Sequence, residues 1–172
     1  FGSSVHIKGD QAIVGSQYDD DTVSNSGSAY IFENRGGTWS QTAKLVADNP
    51  AQNHYFGYSV AIANDTAIVG CSSCNTVYVF RKTEGNWAQT QRVTGNQVRD
   101  NFGRHVAYDG QSLAVTARHS SNDYRVYIFE DVNGQFVERT SLGSYQSSSR
   151  PLRMDGDRII VGNSSVGSST GR

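Results

Sequence analysis

A four-part internal repeat constrains this chain more than any other feature of its sequence. Phe1-Gly2-Ser3-Ser4-Val5 returns as Phe56-Gly57-Tyr58-Ser59-Val60 and as Phe102-Gly103-Arg104-His105-Val106, and Leu152 to Gly162 repeats Val5 to Gly15. A repeat of this length predicts a stack of similar units, each burying apolar faces against its neighbours. Within each unit the apolar positions alternate first: Val5 and Ile7, Val60 and Ile62, Val106 and Tyr108, Leu152 and Met154. Period two reads as a strand. A tight polar turn follows, at Gly9-Asp10, Asn64-Asp65, Gly110-Gln111 and Gly156-Asp157, where Gly and Asn tolerate the positive φ of a two-residue hairpin.

The second strand is a continuous apolar run: Ala12 to Gly15, Ala67 to Gly70, Leu113 to Thr116, Ile159 to Gly162. Such a run predicts burial on both faces. A third strand carries Ala29-Tyr30-Ile31-Phe32, Val77-Tyr78-Val79-Phe80 and Val126-Tyr127-Ile128-Phe129. The fourth opens on an aromatic, Trp39, Trp87 or Phe136, always at the same interval from the third-strand Phe. An aliphatic follows at a second fixed interval: Leu45, Val93 and Leu142. These recurring aromatics are expected to pack between units. No segment has a helical period. The expected class is all-β: four-stranded antiparallel blades at 1–55, 56–101 and 102–147, with a half blade at 148–172. This is a partial β-propeller over residues 1–172.

The spacing resembles the FG-GAP repeat, the blade of integrin α-like propellers. It is closest to the variant reading F-G-x-S-V-x-I-x-G-D-x-A-I-V-G, then G-S-A-Y-I-F and a Trp-led strand. Phe1 to Gly15 and Gly27 to Phe32 match nearly residue for residue, the second copy well and the third loosely. The fourth keeps only Gly156-Asp157 and Ile159 to Gly162. The resemblance implies a longer, roughly seven-bladed propeller, so about three and a half blades are visible and both termini read as cuts through a longer protein. It also implies an extracellular or cell-surface setting. In integrin-type repeats the first turn is a calcium loop rich in alternating Asp. Calcium takes roughly six to eight oxygens, and here that loop has shrunk to Gly9-Asp10 and its equivalents. Calcium binding is therefore not carried over, and no cofactor is expected.

Composition agrees with a polar-surfaced β protein. Only 36% of residues are hydrophobic and the net charge is −1, which gives no bulk attraction to nucleic acid or anionic membrane. Arg92, Arg99, Arg104, Arg118 and Arg125 lie among acids without regularly spaced aromatics, unlike a nucleic-acid surface. No apolar run reaches the roughly 20 residues that span a bilayer.

Candidate chemistry is sparse. Asp19-Asp20-Asp21 occupies the loop after the second strand, as a weak metal candidate or as a solvated loop. Cys71 and Cys74 fall in the equivalent loop of the second unit, as a local disulfide or as two thiols. A zinc reading needs further ligands, and His6, His54, His105 and His119 show no pairing spacing. Asn64-Asp65-Thr66 and Asn163-Ser164-Ser165 fit the N-glycosylation triplet. His105 replaces Ser4 and Ser59, but no carboxylate partner recurs beside it, so no catalytic residue is assigned.

The loop between the second and third strands changes length from copy to copy while the framework holds, and function on repeat scaffolds sits on such loops. The expected binding rim is therefore Gln17 to Ser26, Cys71 to Asn75 and Arg118 to Asp123, with Gln17, Tyr18, Asp19, Asn75, His119, Asn122 and Asp123 as its contacts. The expected function is a non-enzymatic extracellular module making protein or glycan contacts, completed by further blades from the same or another chain. A lectin is the alternative, and a propeller enzyme the less favoured third.

Overall fold

The computed structural model describes residues 1–95, 101–120, 123–145, 152–156 and 158–162. Every regular element in them is a strand. The first blade holds β1 (Ser4–Lys8), β2 (Gln11–Ser16), β3 (Ser28–Arg35) and β4 (Thr38–Leu45). The second holds β5 (Ser59–Ala63), β6 (Thr66–Cys71), β7 (Thr76–Thr83) and β8 (Asn86–Thr94). The third holds β9 (Val106–Tyr108), β10 (Ser112–Ser120), β11 (Asp123–Val132) and β12 (Gln135–Tyr145). β13 (Leu152–Asp155) and β14 (Arg158–Val161) begin a fourth. Each complete blade is a sequential antiparallel meander, and among the described residues β13 pairs with β14 alone. Among the described residues, no helix is long and apolar enough to cross a membrane.

The local chemistry accounts for these elements. Asn64 and Asp65 both take positive φ in the β5–β6 turn, at 49° and 55°, which is the hairpin geometry that matches strand twist. The β3–β4 pairing slips by one residue between Ile31 and Phe32. The same slip recurs between Val79 and Phe80 and between Ile128 and Phe129. A bulge at one repeat position in three blades adds twist at the same place in each.

Blades pack face to face, and the core lies between them. One cluster joins Ile13, Ala29, Ile31 and Leu45 of the first blade to Phe56, Val60, Tyr78 and Phe80 of the second. Another joins Ala61, Ile68, Val77 and Val79 of the second to Phe102, Tyr108, Leu113 and Tyr127 of the third. A third joins Ala107, Ala114 and Val126 to Leu152 of the half blade. Strand alternation sorts the side chains. In β7, Tyr78 and Phe80 face backward to the first blade, while Val77 and Val79 face forward to the third. β5 and β6 are thus buried on both sides throughout and β7 from Thr76 to Phe80, as the continuous apolar run of β6 predicts, whereas β8 is buried only at Val93. β2 is buried less completely because nothing covers its backward face.

The Phe-Gly pair that opens each blade is the clasp. Phe56 is fully buried and meets Tyr78 and Phe80 edge-on at 5.2 and 6.0 Å. Phe102 repeats this against Tyr127 and Phe129 at 6.4 and 6.0 Å. The following glycine, Gly57 or Gly103, has φ +87°, a conformation that side chains resist. Its carbonyl presses on the preceding blade. A Cβ on Gly15 would overlap the Gly57 carbonyl, and one on Gly70 would overlap the Gly103 carbonyl. Ser4 Oγ donates to Gly57 O at 2.8 Å and Ser59 Oγ to Gly103 O at 2.7 Å. Polar cross-links finish the interfaces. Lys82 pairs with Glu33, Arg81 meets Asp131 at 2.5 Å and Gln91 exchanges two hydrogen bonds with the Phe136 backbone.

Exposure of the equivalent aromatics follows the neighbours. Phe1, Val5 and Ile7 are 78%, 65% and 59% exposed, whereas Phe56, Val60 and Ile62 are buried. Trp39 is exposed, Trp87 packs partly against the first interface and Phe136 is buried. The expectation of packing between blades therefore holds for Phe56, Phe102 and Phe136. It fails for Phe1 and Trp39, which have no blade behind them among the described residues.

Candidate binding face

An antiparallel meander puts the β1–β2 and β3–β4 turns at one end of a blade, and the β2–β3 loop with the chain to the next blade at the other. The variable loops therefore share an edge with the 46–58 connector. The connector is stitched to the first loop: Asn53 N donates to Ser24 O, Tyr55 N to Asn25 O and Phe56 N to Ser26 O, each at 3.0 Å. Asn25 Nδ2 adds a bond to Asn53 Oδ1 at 2.9 Å. Tyr18, 66% exposed, meets Tyr55 edge-on at 5.7 Å. Loop and connector together form one surface.

The acidic triplet divides its work. Asp19 Oδ2 accepts from Ser28 Oγ at 2.5 Å, from Tyr30 Oη at 2.7 Å and from Lys44 Nζ at 3.1 Å. Lys44 also pairs with Asp21 and lies 5.2 Å from the centre of the Tyr30 ring. Asp20 Oδ1 accepts from Asn25 N at 2.6 Å. Burial opposes the Asp19 charge. The bonds from Ser28, Tyr30 and Lys44 outweigh it and hold the carboxyl well below the usual carboxylate range. Burial likewise opposes the Lys44 charge, yet its contacts with Asp21, Tyr30 and Asp19 raise it above an ordinary lysine. The cation inside this loop is thus the protein's own ammonium. Lys44 reaches it from β4, opposite Tyr30 in the register, a neighbour that no sequence spacing reveals.

In the second blade the shorter loop closes on a disulfide between Cys71 and Cys74, Cα atoms 5.5 Å apart. Cys71 ends β6 on its backward face, fully buried. The 46–58 connector passes over it, placing the His54 carbonyl 2.9 Å from Cys71 Sγ. Tyr78 Oη donates to Asn49 Oδ1 at 2.8 Å and lies 3.7 Å from Cys74 Sγ. Asn75, half-buried with φ 51°, accepts from Phe102 N at 3.3 Å, the place that Ser26 O fills for Phe56. His54 is the member of this group that sequence spacing misses: it joins the cysteines through the connector, not through a motif.

The other candidates fall elsewhere. Gln17 lies at one mouth of the axial cavity, about 450 Å³, with Ser4, Tyr58, Ser59, His105 and Arg153. His105 Nε2 is buried there and has no hydrogen-bond partner among the described residues. Burial, then the charges of Arg104 and Arg153, pull its pKa down to about 4, so it is a neutral imidazole at neutral pH. His6, on β1 of the first blade, is not its repeat equivalent; its Nδ1 accepts from Ile62 N of β5 at 3.1 Å. Asn64 is exposed at the opposite mouth and donates to Gly110 O at 3.4 Å. The β10–β11 backbone reaches His119 and Asp123, but the side chains of both, like Asn122 and Asn163, lie outside what the structure describes.

Residues 1–32 and 39–80 match the family model of the FG-GAP repeat. No curated protein matches the chain. Among solved structures, the N-terminal domain of Nup159 is similar at 11% identity and a TM-score of 0.33, covering 88% of this chain and 53% of that one. The chain thus spans about half the length of that structure. The matched residues include the Phe-Gly clasps of the first two blades, with their glycine and aromatic partners, and the third blade repeats their strand order and register. FG-GAP repeats thus occupy residues 1–32 and 39–80, and the fold of the described residues is a run of β-propeller blades.

Proposed function

We propose that this chain is a non-enzymatic binding module, working outside the cell or at its surface, whose ligand docks on the edge formed by the β2–β3 loop, the 46–58 connector and the Cys71–Asn75 turn. One observation carries this reading: the variable loop and the connector are fused into a single surface by backbone bonds, with an exposed Tyr18 supported by Tyr55 at its centre. A tyrosine held in this way offers contact area at low entropic cost, which is why such residues dominate binding energy. The disulfide favours an oxidising compartment. The backward face of the first blade, with Phe1, Val5 and Ile7 exposed, suits a further blade from the same polypeptide or another chain.

Protein is the favoured ligand class. Glycan is the second reading, favoured by Tyr18 standing beside the Asn25–Asn53 amide pair, since sugars are held by ring stacking and amide hydrogen bonds. The test is display of the chain on arrays of extracellular proteins and of glycans, followed by affinity measurement for the hits. Tyr18→Ala is expected to weaken the true ligand tenfold or more, roughly 1.4 kcal/mol, while Thr38→Ala at the other end of the blade leaves it unchanged. A ligand that binds both variants equally well would place the binding face elsewhere.

A further inference from the structure

We propose that Cys71, Cys74 and His54 form a redox-gated metal site, in which a thiolate-seeking divalent cation such as Zn²⁺ replaces the disulfide once the two cysteines are reduced. The donor atoms of the three residues already lie within 4.8 Å of one another. Tetrahedral zinc, with Zn–S about 2.3 Å and Zn–N about 2.0–2.1 Å, sets its ligand atoms roughly 3.5–3.8 Å apart. Once the bond of about 2.05 Å is broken the two sulfurs must part by roughly 2 Å, shared between two side-chain rotations, and the imidazole nitrogen must close by at most about 1.3 Å.

Three further observations support the site. His54 Nδ1 is buried and has no hydrogen-bond partner, although a buried ring nitrogen ordinarily has one. The Tyr78 hydroxyl stands 3.7 Å from Cys74 Sγ, where it can turn its one proton from Asn49 Oδ1 to a metal-bound thiolate as an outer-shell donor. The connector that carries His54 is pinned on both sides of it, through Asn53 N and Tyr55 N, so the imidazole is held ready. Soft sulfur with imidazole selects zinc over calcium or magnesium. Two thiolates and one neutral imidazole around a divalent ion make a neutral site, which suits a place where Cys71 is buried and His54 and Cys74 are half-buried. Three protein ligands leave the fourth position to water.

The exchange balances. A small-molecule dithiol gives two electrons and two protons to the Cys71–Cys74 bond and leaves as its own cyclic disulfide. Zinc then displaces the two thiol protons to solvent. Reoxidation by a small-molecule disulfide, which takes the two electrons and, with two protons from water, leaves as two thiols, re-forms the Cys71–Cys74 bond and releases the metal as Zn²⁺. This site is independent of whichever ligand the rim takes.

The test uses the full chain, reduced by a dithiol that is then removed under anaerobic conditions, alongside the oxidised chain. Co²⁺ serves as the optical probe and Zn²⁺ as its competitor. The reduced chain is expected to bind one equivalent of Co²⁺ with thiolate charge-transfer and tetrahedral d–d bands, which Zn²⁺ abolishes. The oxidised chain is expected to show neither. Cys71→Ser with Cys74→Ser removes the bands. His54→Ala weakens binding at least about tenfold and alters the d–d envelope, with circular dichroism as the folding control. His54→Gln, which keeps the volume, does the same if His54→Ala perturbs the fold. No bands in the reduced chain, or bands unchanged in both His54 variants, would overturn the proposal.

Discussion

The Phe-Gly clasp yields a comparison internal to one molecule: Phe1, Phe56 and Phe102 occupy the same repeat position but differ in what stands behind them. Phe56 and Phe102 are fully buried, each against two aromatics. Truncating such a side chain removes its transfer energy and leaves a cavity that stiff neighbouring strands cannot fill, a combined cost of about 3–5 kcal/mol. Phe1 makes the same two ring contacts, at 5.3 and 6.4 Å, but keeps 78% of its surface in water. Little transfer energy and no cavity are at stake, and the loss reduces to part of an aromatic pair, about 0.5 kcal/mol. Urea unfolding of the three Phe→Ala variants, followed by both near-UV and far-UV circular dichroism, measures the differences. Phe56→Ala and Phe102→Ala should lower the midpoint by roughly 1–5 M, given slopes of about 1–3 kcal/mol/M, and Phe1→Ala should barely move it. The two probes test whether the array still unfolds as one unit, since repeat arrays come apart at their weakest interface. Equal losses for Phe1→Ala and Phe56→Ala, or a loss under about 1 kcal/mol at Phe56, would refute the claim that the interfaces between blades hold most of the stability.

Two further outcomes are expected. Gly70→Ala puts a methyl group into the Gly103 carbonyl; because that carbonyl belongs to packed backbone, the variant should lose about 1–3 kcal/mol in the same urea assay, while Gly85→Ala, with open space around it but φ +83°, loses only the cost of the left-handed backbone, about 1 kcal/mol. His105 has its pKa pulled down to about 4 when folded against about 6.5 unfolded. Its contribution is therefore fully present above about pH 6.5 and is lost as pH falls toward 4, because the unfolded chain takes the proton first. His105→Ser, the residue its sister blades use, should flatten the fall in stability between pH 6.5 and 4 relative to the parent chain, as followed by thermal melts across that range.

Much of the fold was legible because the repeat repeats its physics. Alternation marks β1 and β5, continuous apolar runs mark β6, and Asn64-Asp65 marks a turn, all from local chemistry. The packing role of Phe56 and Phe102 was legible for the same reason. What a repeat position cannot tell is whether a neighbour is present, so Trp39 and Phe136 share a motif and differ in burial. The candidate site was legible only as a length-variable loop. Its interior order depends on contacts made across the sheet and between blades. Lys44 enters the Asp19 site from a bulged strand pair, and His54 meets Cys71 because a connector folds back over the next blade. Neither leaves a spacing to read. The side-chain surroundings of His119 and Asp123 lie outside the described residues.

The glycine backing each clasp gives the array a built-in reading direction. Gly15 and Gly70 are small because the next blade's Phe-Gly carbonyl sits on them, yet the third blade has Thr116 in that place, its hydroxyl engaged by the His105 amide at 3.1 Å. A successor of the Phe-Gly type would collide with the threonine. Blades one and two are therefore interchangeable in what may follow them, whereas the third accepts only a follower of another build, as Leu152 and its strand are. Shuffled or circularly permuted versions should obey that grammar, joining freely after Gly15 or Gly70 and failing wherever Thr116 is made to precede a Phe-Gly unit.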